Sequence, residues 1–198
     1  MMKLELKRYR CLIAGAILMV NLFGCSGVKF EKFSSKDPLI NISMDYISGW
    51  QHDETRGSYS SYAQVMFFPF KKGQKSPKTI MVVTVKDSSK MEFTPLTVEA
   101  AADDLLAKRM QFKDAKVLSK SKMKLLNTEA TVIELSYLTL ENLLNVNSKL
   151  ILVKEKVIIF KKNKNFYFLR YQNSAEEFDR YNLAFTHIVR TIKIKDNK

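Results

Sequence analysis

Few side chains in this sequence could do chemistry, and their spacing limits what that chemistry could be. His52-Asp53-Glu54 sets an imidazole beside two carboxylates, nitrogen and oxygen donors of the kind that grip a divalent cation. Neighbouring residues in a loop point apart, so a solvated polar segment is the simpler reading. Asp103-Asp104 could supply a paired acid and base. Their helical neighbours Val98 and Leu105 mark the inner face, which leaves the two aspartates as solvated charge. His187 falls opposite the apolar stripe of its segment and reads as a surface residue. The chain has no G-x-S-x-G, no framed S-x-x-K and no glycine-rich phosphate loop. Past residue 24 only Gly27, Gly49, Gly57 and Gly73 remain to build such a cradle. We therefore expect no enzyme, no cofactor and no metal; a hydrolase with an unrecognised site is the distant alternative.

One residue remains with a chemical future, Cys25 in the stretch NLFGCSG. Ahead of it, MMKLELKRYR carries Lys3, Lys7, Arg8 and Arg10 against Glu5, and CLIAGAILMVNLF follows as thirteen mostly apolar residues. As a helix that run spans about 20 Å at roughly 1.5 Å per residue, short of a ~30 Å hydrocarbon core. A basic start, a short apolar run and a small residue, Gly24, describe a secretory signal. Leu22-Phe23-Gly24-Cys25 resembles the bacterial lipobox, with Phe23 where a small residue is usual. The resemblance implies cleavage between Gly24 and Cys25, acylation of the Cys25 sulfur, and a bacterial cell-envelope protein held on the extracytoplasmic side. With Ser26 next, it implies the outer membrane where the cell has two. An uncleaved short anchor and a buried first helix are the competing readings. Cys11 and Cys25 are the two cysteines, so the processed chain would hold no free thiol, disulfide or thiolate metal ligand.

Cleavage would remove four of 33 basic and one of 20 acidic residues. That leaves 29 and 19, a formal +10 on 174 residues, with length enough for one cored domain. Lys71, Lys72, Lys75 and Lys78 crowd one loop, and Lys116, Lys120, Lys122 and Lys124 follow in another segment. Lysine rather than arginine dominates, and export removes the chain from nucleic acid. The basic surface is a solvated face or a contact with anionic lipid or an acidic envelope protein. Trp50, the sole tryptophan, reads as a core anchor at a strand end. Its alternative is a ligand-pocket wall shared with Tyr59 and Tyr62, which would suit a carrier of a small apolar ligand or lipid.

The elements that must position these residues follow from periodicity. Residues 1–24 are the signal, 25–37 a lipidated N-terminus and polar tether, and 38–198 the globular domain. Strands are expected at 39–45, 63–70, 79–86, 116–126, 130–138, 149–161 and 165–172, with 51–61 a loop. Thr97 would cap a helix through Val98, Ala101, Ala102, Leu105 and Leu106. Ser174-Ala175-Glu176-Glu177 reads as a capping box for a second helix bearing Phe178, Tyr181, Phe185, Ile188 and Val189. Thr191 to Ile194 closes the chain. The order gives an α+β fold, an antiparallel sheet flanked by helices.

Three pieces together carry a resemblance: a first strand running into Gly49-Trp50, a mid-chain helix after a strand pair, and NFYFLRYQNSAEEFDRYNLAFTHIVRTIKI. The chain from about 37 to 195 resembles the PsbP-like family, which includes DcrB-type lipoproteins. That resemblance implies a six- or seven-stranded antiparallel sheet between helices and no activity common to the family. The whole reading is a non-enzymatic, membrane-anchored binding or accessory module.

Overall fold

The computed structural model describes residues 27–56, 61–69, 79–89, 95, 97–141 and 147–195. Ten strands and two helices are present among them. β3 (Trp50–Arg56), β4 (Tyr62–Pro69), β5 (Ile80–Asp87), β6 (Lys116–Leu125), β7 (Thr128–Leu140), β8 (Leu150–Lys162) and β9 (Asn165–Ser174) form one antiparallel sheet. Its order is β3-β4-β5-β9-β8-β7-β6. A second, small sheet has the order β1-β2-β10, from β1 (Phe30–Ser34), β2 (Ile42–Ile47) and β10 (Lys193–Ile194). Helix α1 (Val98–Arg109) joins β5 to the far-edge strand β6, and α2 (Phe178–Thr191) follows β9. This is the α+β architecture expected from the sequence.

Strand alternation separates two cores. On one face Ala63, Val65 and Phe67 of β4, Val83 of β5 and Leu169 and Tyr171 of β9 meet the small sheet and α2, through Ile42, Met44, Phe185 and Ile188. On the other face Ile133 and Leu135 of β7, Val157 and Ile159 of β8 and Phe166 of β9 pack under Ala101 and Ala102 of α1. Thr97 caps α1 as its type predicts, its hydroxyl oxygen accepting from the Ala100 amide at 3.1 Å. Glu99 in the first turn and Lys108 and Arg109 in the last complement the helix dipole.

Three local expectations are corrected. Residues 51–61 were expected as a loop, but Trp50–Arg56 is strand β3, paired with β4 from Trp50–Pro69 to Arg56–Ala63. Its polar composition fits a sheet edge with most of its residues exposed. Within the expected tether, Phe30–Ser34 pairs with β2, burying Phe33 where a polar linker was expected. The 174–177 capping box does not form. Ser174 is still paired with Val153 in the sheet, and α2 starts at Phe178 without a side-chain cap. The backbone turn from the Glu177 amide to the Ser174 carbonyl, 3.1 Å, takes its place.

Gly49 turns the chain from β2 into β3 at φ +78, with no atom within 4 Å of a added Cβ. Only the backbone opposes a side chain there, so Gly49→Ala is expected to cost about 1–2 kcal/mol in chemical denaturation. Gly49→Asn should cost less, because Asn enters the left-handed region more readily.

Candidate functional site

The face under α1 carries charge where its neighbours are apolar. Glu155 shares its face of β8 with Val153 and Val157, and Arg170 shares its face of β9 with Phe166 and Phe168. Glu155 is 0 % exposed. Arg109, at the end of α1, reaches it in a fork, Nε to Oε2 at 2.7 Å and Nη2 to Oε1 at 3.0 Å. The Tyr137 hydroxyl lies 3.1 Å from Glu155 Oε2 and 3.2 Å from the Gln172 side-chain oxygen. Arg170 approaches the same carboxylate, Nε 3.4 Å from Oε1, yet that buried nitrogen makes no hydrogen bond. One carboxylate therefore serves two guanidiniums. Burial works against the charge on Arg109, but the hydrogen bonds and charge of Glu155 raise its pKa on balance. Burial, then the Glu155 charge, pushes the Tyr137 hydroxyl upward too.

Beside this network a groove of about 170 Å³ opens between α1 and strands β5 and β9. Leu105, Val157 and Phe168 form its apolar wall, and Thr84, Lys86, Lys108 and Arg170 bring polar heads to it. Lys108 is paired with Asp104 at 2.8 Å. Lys86 sits 5.1 Å above the Phe168 ring, and no described carboxylate lies within ion-pair distance of it. Burial, then the charge of Lys108, lowers its pKa, and Asp104 offsets this in part. Counting Asp104 and Glu155 against Lys86, Lys108, Arg109 and Arg170, the groove holds a surplus of two positive charges. Such an arrangement suits an oxyanion bearing an apolar group.

The residues singled out from the sequence do not assemble into this site. Gly24, Cys25, Tyr59, Lys71, Lys72, Lys75 and Lys78 lie outside the described residues. Trp50 is buried in the first core, its ring edge-on to Tyr181 at 5.3 Å. Tyr62, 41 % exposed, pairs with Lys86 in the register and lies on the opposite face. The sheet itself separates Trp50 from Tyr62. The apolar interface under α2 is filled, with a void of about 10 Å³.

Along β3, His52 and Glu54 share one side of the strand and Asp53 lies on the other. His52 packs edge-on to Phe33 and Tyr46, while Glu54 accepts the Ser35 hydroxyl at 2.8 Å. His187, expected as a plain surface residue, clamps helix to small sheet. Its Nε2 is 2.9 Å from Asp45 Oδ2 and its ring lies 4.1 Å from that of Phe30. Asp103 and Asp104 are salt-bridged at the surface to Lys120 and Lys108. Among the described residues no helix is long and apolar enough to cross a membrane.

Architecture of this kind defines the PsbP-like fold, a sheet of seven antiparallel strands between helical layers. The solution structure of cyanobacterial PsbP (CyanoP) from Synechocystis sp. PCC 6803 superposes with TM-score 0.56 at 11 % identity, over 88 % of this chain and 99 % of that one. LpqN of Mycobacterium tuberculosis, described as involved in cell envelope biogenesis, gives 0.53 at 12 %, covering 86 % and 93 %. The Ran-binding protein Mog1p of Saccharomyces cerevisiae gives 0.51 at 9 %, covering 86 % and 97 %. At these identities the likeness is one of fold. No known family profile matches the chain, and no curated protein matches it in sequence.

Proposed function

We propose that this chain is a non-enzymatic binding module of the bacterial cell envelope, anchored through acylated Cys25 and taking an anionic ligand in the groove beside α1. The observation that carries the binding role is the groove's surplus of positive charge against an apolar wall. Fixed cations around an apolar slot select and hold an oxyanion. Nothing among them pairs a nucleophile with a base, which a hydrolytic reading would need. The fold it shares with LpqN, a protein described as acting in cell envelope biogenesis, is consistent with an envelope role. The anchor reading comes from the lipobox alone. One acyl chain holds a protein weakly, at roughly 0.8 kcal/mol per buried methylene, and two or three on one cysteine hold it durably. A carrier of an uncharged apolar ligand fits less well, because the apolar interface under α2 is closed.

The test of the anchor is the intact mass of the protein purified from its own membranes, beside Cys25→Ala. A chain starting at Cys25 with two or three acyl groups, absent in the variant, is the expected result. An unmodified full-length chain would end the lipoprotein reading.

A further inference from the structure

Six of the eight large apolar side chains exposed among the described residues gather at one end of the long sheet. Met110 and Phe112 follow α1, Val117 and Leu118 lie at the start of β6, and Leu150 and Leu152 open β8. Phe112, Val117, Leu150 and Leu152 border residues 135–140 of β7. Phe112 stacks on Tyr137 at 4.7 Å, and the Leu138 amide donates to the Lys113 carbonyl at 2.8 Å. Val117 pairs with Leu135, and Leu152 and Leu150 pair with Leu138 and Leu140. The register shift between Val117 and Ser119 leaves Leu118 as a bulge without a cross-strand partner. β9 stops pairing at Ser174–Val153, and the Ala175 amide still donates to the Leu152 carbonyl at 2.9 Å, so Leu150 stands on a two-stranded arm that runs roughly 7 Å past that bond, at about 3.3 Å per residue.

The chain enters the fold at this same end. Ser48 donates its amide to the Lys29 carbonyl at 2.9 Å, and Trp50, two residues on, begins β3 opposite the last residue of β4, Pro69. In an antiparallel sheet that is the end where β9 finishes and where β6 and β8 begin. Lys29 is four positions after Cys25, a reach of at most roughly 13 Å for an extended chain. An acyl chain on Cys25 would therefore hold this end, and not the opposite one, near the bilayer. Of the two exposed apolar residues left over, Tyr62 begins β4 at the far end and Leu183 sits on α2.

We propose that this end, entered edge-on, is a membrane-docking face: Phe112 on the α1 side of the sheet, Leu150 and Leu152 on the other side, and Leu118 at the edge strand seat in the interfacial layer of an anionic bilayer, and Lys113, Lys116 and Lys149 meet its headgroups. The proposal rests on Cys25 being the lipid anchor. Lysines close to an anionic surface add to apolar insertion. Asp114 and Glu141 are the acidic residues of the same stretch, Glu141 lying 3.8 Å from Lys149.

The test uses the acylated protein extracted from its own membranes and placed in vesicles of phosphatidylethanolamine and phosphatidylglycerol. A nitroxide is attached at Leu152→Cys, at Leu150→Cys, or at Glu129→Cys near the opposite end. With Cys11 removed and Cys25 acylated, the introduced thiol alone should label. The expected result is that the labels at 150 and 152 meet oxygen more readily than a water-soluble nickel chelate, with the reverse at 129. Co-flotation with the vesicles while the labels at 150 and 152 behave like that at 129 would overturn the docking face and leave the anchor standing. Labelling of a second thiol, or loss of co-flotation, would overturn the anchor and the docking face with it.

Discussion

Replacing Glu155 by Ala is expected to remove about 3–5 kcal/mol of folding stability, the cost of leaving a buried charge without its partner. Glu155 is fully enclosed and is the carboxylate that both Arg109 and Arg170 face. Its loss strands two guanidiniums and takes from the Tyr137 hydroxyl one of its two neighbours. In urea the midpoint should fall with an unchanged slope, and the melting temperature should drop by roughly 10 °C or more. Glu155→Gln, which keeps the shape and an acceptor oxygen, should lose less. The double variant Arg109→Met with Glu155→Leu should lose less than its two single changes added together, since a buried pair replaced as a unit leaves fewer orphans. A loss below about 1 kcal/mol in Glu155→Ala would mean that water already satisfies the arginines, and the groove would then be a wet surface cleft.

The same residues show what the sequence made legible and what it did not. Strand parity marked six of the seven strands of the long sheet, as where Val65 and Phe67 alternate with Gln64 and Met66. The tight turn at Leu126-Asn127, both residues left-handed as a two-residue hairpin requires, goes unread, and the expected strand runs on to 126. Parity also held the signal for the groove. In KLILVKEKVIIFK, Glu155 shares its parity with Val153, Val157 and Ile159, and in NFYFLRYQ, Arg170 shares its parity with Phe166 and Phe168. A charge in an apolar register has to find a partner, and that rule would have marked both. What no local pattern could supply is that partner. Arg109 meets Glu155 across 46 residues, and only the crossover of α1 from β5 to the far edge brings them together. The missed strand β3 has a different cause: WQHDETR is polar because it is an exposed edge, and composition alone reads an exposed edge as a loop. The failed capping box shows the reverse error, in which a sound local motif gives way because Ser174 is still held in the sheet by Val153.

Lys86→Met should separate stability from binding. Lys86 is partly buried with its pKa lowered by burial and by Lys108, so the folded protein disfavours its charged form. A lysine depressed in this way costs stability below its folded pKa. That cost is relieved as pH rises from the folded pKa to the ordinary lysine value, because there the unfolded chain binds the extra proton. Methionine keeps the apolar stem against Phe168 and removes the charge, so the variant should be as stable as the parent or more so, and should lack this alkaline gain. An anion in the groove reverses the preference, since it favours the protonated amine. Its affinity should fall as pH rises through the lowered pKa of Lys86, earlier than for an ordinary lysine. Titration with hexanoate and with phenyl phosphate, followed by amide chemical shifts around Thr84 and Phe168, reads this directly. Loss of one charge-assisted contact at about 1.5–3 kcal/mol predicts a tenfold or greater drop in affinity for Lys86→Met. A variant that gains stability while losing the anion marks Lys86 as a residue kept for binding at a cost to the fold. Equal affinity in parent and variant, or no saturable shift with either anion, would remove the groove as the binding site.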